Sequence, residues 1–183
     1  MRIAEINMVS HGSTGNIMLQ IADCARQQGH EVRTFSTHLF SRRYRKLPAP
    51  PEGHSYFGSY LENTLHFVLG RVFGWNGCFS VIGTRRLLRE LDRTGVDVLH
   101  LHNLHGSCID LPMLFRYIKR RGIPVVWTLH DCWSFTGHCP NFDMVGCDRW
   151  KTGCGQCPQR SAYPASFFDT SRWMYRRNRR GIL

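Results

Sequence analysis

His130 and Asp131 stand side by side at the end of an apolar run, residues 125–129, and are well placed in this chain to do chemistry. An imidazole gains and loses its proton near neutral pH, and a neighbouring carboxylate can orient it or its loop. Two other apolar runs end in the same manner. Residues 2–9 lead into Ser10, His11, Gly12, Ser13, Thr14, Gly15 and Asn16, and residues 96–101 lead into His102, Asn103, Leu104, His105 and Gly106. The glycine turn offers backbone N–H groups ahead of a helix, which suits a phosphate or a carboxylate. His102, Asn103 and His105 either contact a ligand or pack their own loop. A fourth group, Cys139, Cys147, Cys154 and Cys157, ends in C-x-x-C. Four thiolates suit a structural zinc ion, because they leave no open position for substrate. Cys132 is a substitute candidate among these ligands, and reduced thiols packed under Trp133, Phe135 and Trp150 are the competing reading.

These residues share a site only if the elements behind them converge. Strand, glycine turn, helix (16–28, ended by Gly29) and strand (31–36) make a βαβ opening. Helices are expected over 59–73, 79–94 and 109–120, and a strand over 96–101. In the first of these helices Leu61, Leu65, Val68, Leu69 and Val72 are expected to face the core. The β-branched run at 125–129 reads as a central strand covered on both faces. In a parallel sheet every strand ends at the same edge, and ligands bind in the crevice there. The turn is neither G-x-G-x-x-G nor a G-K-[ST] phosphate loop, and no acid ends the second strand to meet a nicotinamide ribose.

Between these elements, residues 40–58 read as a basic surface loop, with Arg42, Arg43, Arg45 and Lys46 followed by Pro48, Pro50 and Pro51. Residues 166–183 hold Arg172, Arg176, Arg177, Arg179 and Arg180 and read as a solvent-facing basic tail, with an acidic membrane surface as the alternative. The expected division is a domain over 1–165 and this tail over 166–183. The chain of 183 residues is long enough for one core, and its net charge of +11 calls for an anionic partner. No apolar run spans a bilayer and no signal region opens the chain, so a cytoplasmic protein with reduced cysteines is expected.

The runs HLHNLHG, IPVVWTLHDCWSFTGHC and GCDRWKTGCGQCPQ resemble the amino-terminal half of bacterial glycosyltransferases of family four, from residue 1 to about 175. The resemblance implies an α/β fold: a Rossmann-like open parallel sheet with helices on both faces, the first half of a GT-B architecture, with the Cys-rich loop after a central strand. It implies retaining sugar transfer from a nucleotide-sugar donor to a saccharide or polyprenyl-linked acceptor in cell-surface polysaccharide synthesis. No cofactor is required for that chemistry. His130 matches the histidine that reaches a donor-sugar hydroxyl, and the turn around Gly12 and Gly15 matches the loop near donor phosphates and acceptor. Peripheral contact with the inner membrane is expected, and nucleic acid is not. The paired-glutamate motif of the donor-binding half is absent, so the chain is expected to be a fragment that cannot transfer sugar alone. The alternative is a zinc-stapled basic module for nucleic acid or an anionic membrane surface.

Overall fold

The computed structural model describes residues 1–37 and 50–182. Among the described residues there are five strands: β1 (Arg2–Ile6), β2 (Glu31–Thr37), β3 (His54–Phe57), β4 (Val98–Leu101) and β5 (Val125–Trp127). They form one sheet, all parallel, in the order β3-β2-β1-β4-β5. Helix α1 (Gly12–Gln27) joins β1 to β2, and α4 (Leu111–Arg121) joins β4 to β5. Helices α2 (Tyr60–Phe73) and α3 (Val81–Thr94) return the chain from β3 to β4, and α5 (Ser171–Ile182) follows a long loop. The order reverses between β1 and β4. With right-handed crossovers, that reversal sets α1 and α4 on opposite faces of the sheet, as a Rossmann-like fold requires.

Local chemistry explains where the helices begin. The Asp110 carboxylate accepts the Met113 N–H at 2.9 Å, Pro112 occupies the first turn of α4, and Gly122 closes it at φ +62°. Ser59 caps α2 by accepting the Glu62 N–H. The Glu62 carboxylate then crosses to α3 and accepts the N–H groups of Ile82 and Gly83 at 2.7 and 2.9 Å. Ala4, Ile6, Leu99 and Leu101 pack with Leu87, Leu91, Leu114 and Ile118 in the main core.

Several expectations fail here for identifiable reasons. The run at 125–129 is not central: β5 is the edge strand, with Val126 55% exposed. β-Branched composition signals a strand but does not count its neighbours. Residues 54–57, expected within a loop, pair with β2 because His54 is held by Thr34 and Ser36 at 2.7 and 3.0 Å. The basic stretch with Arg42, Arg43, Arg45, Lys46 and Pro48 lies outside the described residues. Helix α2 is turned the other way: Leu61, Leu65 and Val68 are exposed, whereas Asn63, His66 and Gly70 are buried. Helix α1 starts at Gly12, earlier than expected, and buries Met18 and Ala22 while Ile17 faces out. Nor does the tail face solvent all round, since α5 packs on α4 and places Met174 in the core. No helix among the described residues is long and apolar enough to cross a membrane.

Candidate active site

The sheet register sets a polar row across the two halves of the fold. Glu5 of β1 lies beside Thr34 of β2 and His100 of β4, and Thr34 lies beside His54 of β3. Glu5 is 1% exposed. A carboxylate so deep in the fold is tolerable only when its lone pairs are taken up. Here His102 Nε2 donates to Glu5 Oε2 at 2.7 Å, and His100 Nδ1 to Glu5 Oε1 at 3.1 Å. Burial opposes ionisation of Glu5, but hydrogen bonds from His100 and His102 outweigh it and hold the carboxyl below its ordinary pKa.

This pairing propagates outward. His102 Nδ1 lies 3.1 Å from His130 Nε2, beyond the end of β5. With Glu5 ionised and accepting from Nε2, an uncharged His102 has only Nδ1 left as an acceptor. His130 must then donate from Nε2, which leaves its Nδ1 as the acceptor. Burial, followed by the charges of His102 and His100, lowers the His130 pKa, while Asp131 acts against them. The imidazole is half-buried, so a ligand can reach it.

A second chain of contacts runs alongside. His105 Nε2 meets Asp131 Oδ2 at 2.7 Å, and His105 Nδ1 lies 3.2 Å from the Tyr163 hydroxyl. Asp131 Oδ1 accepts the Trp133 N–H at 2.9 Å. Asp131 therefore anchors His105 and the start of the loop. Burial opposes its charge most strongly, yet His105, the Trp133 N–H and His130 together outweigh it and hold the carboxyl below its ordinary pKa. Tyr163 is 58% exposed overall, but the enclosure of its hydroxyl beside His105 pushes the phenol up to about 12, so it stays protonated.

The glycine turn joins this cluster through β1. The Met8 N–H donates to Asn103 O at 2.8 Å, the Asn103 N–H to Asn7 Oδ1 at 3.1 Å, and Asn7 Nδ2 to Thr14 Oγ1 at 3.2 Å. Gly12, Ser13 and Asn16 are exposed in the first turns of α1, which has no acid there. Gly12 has φ +70°. At Gly15 a Cβ would come within 2.7 Å of the Ser10 carbonyl carbon, so a side chain would push helix from strand.

Beside Tyr163 opens a cavity of about 440 Å³, lined among others by Met8, Phe67, Arg71, Asn76 and Gly106. Around Arg71 and the end of α2 lies an aromatic surface. Arg71 sits over the ring of Phe167, Phe73 stacks with Phe168 and Trp75, and Trp75 meets Trp173. Phe167, Phe168 and Trp173 are exposed.

The structure thus brings His130, Asp131, His102, Asn103 and His105 together, with Gly12–Asn16 one strand further along. Cys139, Cys147, Cys154 and Cys157 line a different, small cavity. Sequence reading missed Glu5 and His100. The signal was there: an acid inside an apolar strand, and histidines alternating as L-H-L-H in another. Two residues apart, such histidines lie on one face of a strand and can share a neighbouring carboxylate.

Comparison with known proteins bears on this arrangement. The profile of "Glycosyltransferase Family 4" matches residues 14–180. The chain is also 31% identical, over 92% of its length, to the Escherichia coli (strain K12) protein named "Putative colanic acid biosynthesis glycosyl transferase WcaC". That match takes in 42% of the relative's own length.

Proposed function

The chain belongs to glycosyltransferase family 4, and from that premise we propose that it is the acceptor-side domain of a retaining sugar transferase of cell-surface polysaccharide synthesis. The donor is a nucleotide sugar, and the acceptor a saccharide carried on a polyprenyl diphosphate. The observation that carries this reading is the Glu5–His102–His130 chain, which opens at the switch point of the sheet.

His130 Nδ1 accepts a hydroxyl of the donor sugar and fixes the ring for attack. The N-terminus of α1, from Gly12 to Asn16, receives phosphate oxygens on its backbone N–H groups. Asp131 keeps its place on His105, so the loop bearing His130 stays aligned. Catalysis on this side is positioning and charge stabilisation as the nucleotide departs, and it calls for no cofactor. The cavity beside Tyr163 takes the acceptor, with Arg71 at its diphosphate. The exposed Phe167, Phe168 and Trp173 beside it, with Arg172 and Arg176 on the same helix as Trp173, suit peripheral contact with an anionic membrane on the cytoplasmic face. They favour a membrane-bound acceptor over nucleic acid.

The test has two arms. Isotope-labelled chain is titrated with a polyprenyl-diphosphate-linked saccharide, and resonances of Met8, Arg71, Gly106 and Tyr163 are expected to shift. An unchanged spectrum removes the acceptor reading. The chain alone is then incubated with acceptor and a panel of sugar nucleotides. No turnover is expected, and turnover would show that the chain needs no second domain. In a transferase containing both domains, His130→Ala is expected to lower kcat by roughly 10²-fold.

A further inference from the structure

We propose that Cys139, Cys147, Cys154 and Cys157 bind one Zn²⁺ as four thiolates, and that this ion holds together the loop that leads away from His130. This goes beyond sugar transfer and does not depend on it.

The loop needs such a device. Between β5 and α5 the regular structure is limited to two single turns of 3₁₀ helix, Asp143–Val145 and Arg149–Lys151. A segment of that length without secondary structure is uncommon in a compact domain unless something fixes it. None of its cysteines is in a disulfide.

All four thiols line one cavity of about 20 Å³. That is room for roughly one water-sized sphere and little more. N–H groups lie around the sulfurs. The Gly137 N–H donates to Cys154 Sγ at 3.3 Å. His138, 5% exposed, and Trp150 line the same cavity, and His138 Nε2 and Trp150 Nε1 are buried without a partner. Metal-bound sulfur is an acceptor for such N–H groups. Arg149, also in the lining, is held by the carbonyls of Gly155 and Gln156 and offsets the net negative charge of a four-thiolate zinc. The C-x-x-C segment is wound tightly, with Cys154 at φ +53° and Gln156 at +48°. Side-chain-bearing residues hold that conformation only where other contacts determine it.

Among the described residues, the group whose ligand atoms already lie within 4.8 Å of one another is Glu5, His100 and His102. It is a poor metal site. Its nitrogen–oxygen separations of 2.7 and 3.0 Å are hydrogen bonds. Ligands on a tetrahedral ion stand about 3.3 Å apart for bonds of about 2.0 Å. Cys139 and Cys157 already share a side-chain hydrogen bond, and four sulfurs on one zinc ion stand about 3.8 Å apart, so the other two thiols draw in on binding. Four thiols give up their protons to solvent as they do so.

The geometry assigns a structural role. Gly137 abuts the start of α5, where a Cβ would overlap the Ser171 carbonyl oxygen, and Ser171 also lines the cavity. The ion would tie the loop to that helix.

The experiment uses the intact chain, grown with added zinc and purified without chelators or metal-affinity resin. Elemental analysis is expected to give one zinc per chain. Cys154→Ala/Cys157→Ala loses it, whereas His138→Gln and Glu5→Gln keep it. Because the cysteine variant risks misfolding, wild-type protein stripped of metal under reducing conditions is also titrated with Co²⁺. Thiolate-to-cobalt charge transfer with intense tetrahedral d–d bands is expected, abolished by one equivalent of Zn²⁺. Zinc near zero overturns the assignment of the ion. Zinc retained by the cysteine variant, or a cobalt spectrum without thiolate charge transfer, overturns the ligand set.

Discussion

His102 and His130 lie with ring centroids 5.3 Å apart and planes 20° from parallel, and His102 reaches back to Glu5 through its other nitrogen at 2.7 Å. A carboxylate buried in the first strand is thereby linked, through His102, to an imidazole beyond the last strand of the sheet.

That coupling can be read by NMR. Burial and then the charge of His102 lower the His130 pKa, and Asp131 raises it. His102→Gln is expected to move the His130 pKa up, and Asp131→Asn to move it down. Nitrogen-15 titration of His130 in each variant checks the signs. Shifts in the same direction would show that the neighbours do not act as placed.

Glu5→Gln keeps the shape of the side chain and removes half of its accepting capacity. One of the two imidazole N–H groups then lacks a buried acceptor. A loss of roughly 1–3 kcal/mol is expected. Urea denaturation at neutral pH measures it. An unchanged midpoint would mean that Glu5 is not the hub of this cluster.

Stability should fall in mild acid. Burial pushes His54 down to about 4, and burial together with Arg177 does the same to His66. Both start from an ordinary value near 6.5. Their native forms stay neutral while the unfolded chain takes up protons, so the stability of the fold rises with pH between about 4 and 6.5 and is level above that window. Each histidine accounts for on the order of 3 kcal/mol across it. His54→Gln is expected to flatten the slope. Denaturation midpoints collected from pH 7 to pH 4.5 provide the check.

Two glycines separate crowding from backbone conformation. Gly15→Ala puts a Cβ against the Ser10 backbone and is expected to cost about 1–3 kcal/mol. Gly122→Ala meets open space and carries only the strain of φ +62°, about 1 kcal/mol. Equal losses in urea melts would remove crowding as the reason for glycine at position 15.

The contrast between α2 and α3 shows what was legible in the sequence. In α3, spacing points Leu87, Leu88 and Leu91 inward and Arg85, Arg86, Arg89 and Arg93 outward; Leu87 and Leu91 are buried and the arginines exposed, with Leu88 half-buried. In α2 the same rule points the wrong way. Its inward face is occupied by Asn63, whose amide donates to Thr37 Oγ1 at 2.9 Å, and by His66, within 2.6 Å of Ser80 Oγ. Gly70 lets Asn76 approach. Polar residues with partners in distant segments can displace apolar ones from the interior, and periodicity does not register partners. The strand exits were legible because a parallel sheet brings His102, Asn103, His105, His130 and Asp131 to one rim whichever strand is outermost. The rank of β5 depends on which strands adjoin it, which its own composition does not record.

The overlap that any side chain at position 137 would make with the carbonyl of residue 171 has a consequence for a shortened chain. Truncation ahead of residue 171 would remove the backbone against which Gly137 sits, so a chain ending there is expected to leave the cysteine segment more open to alkylation than the full-length protein, and equal labelling rates would show that the segment closes without α5.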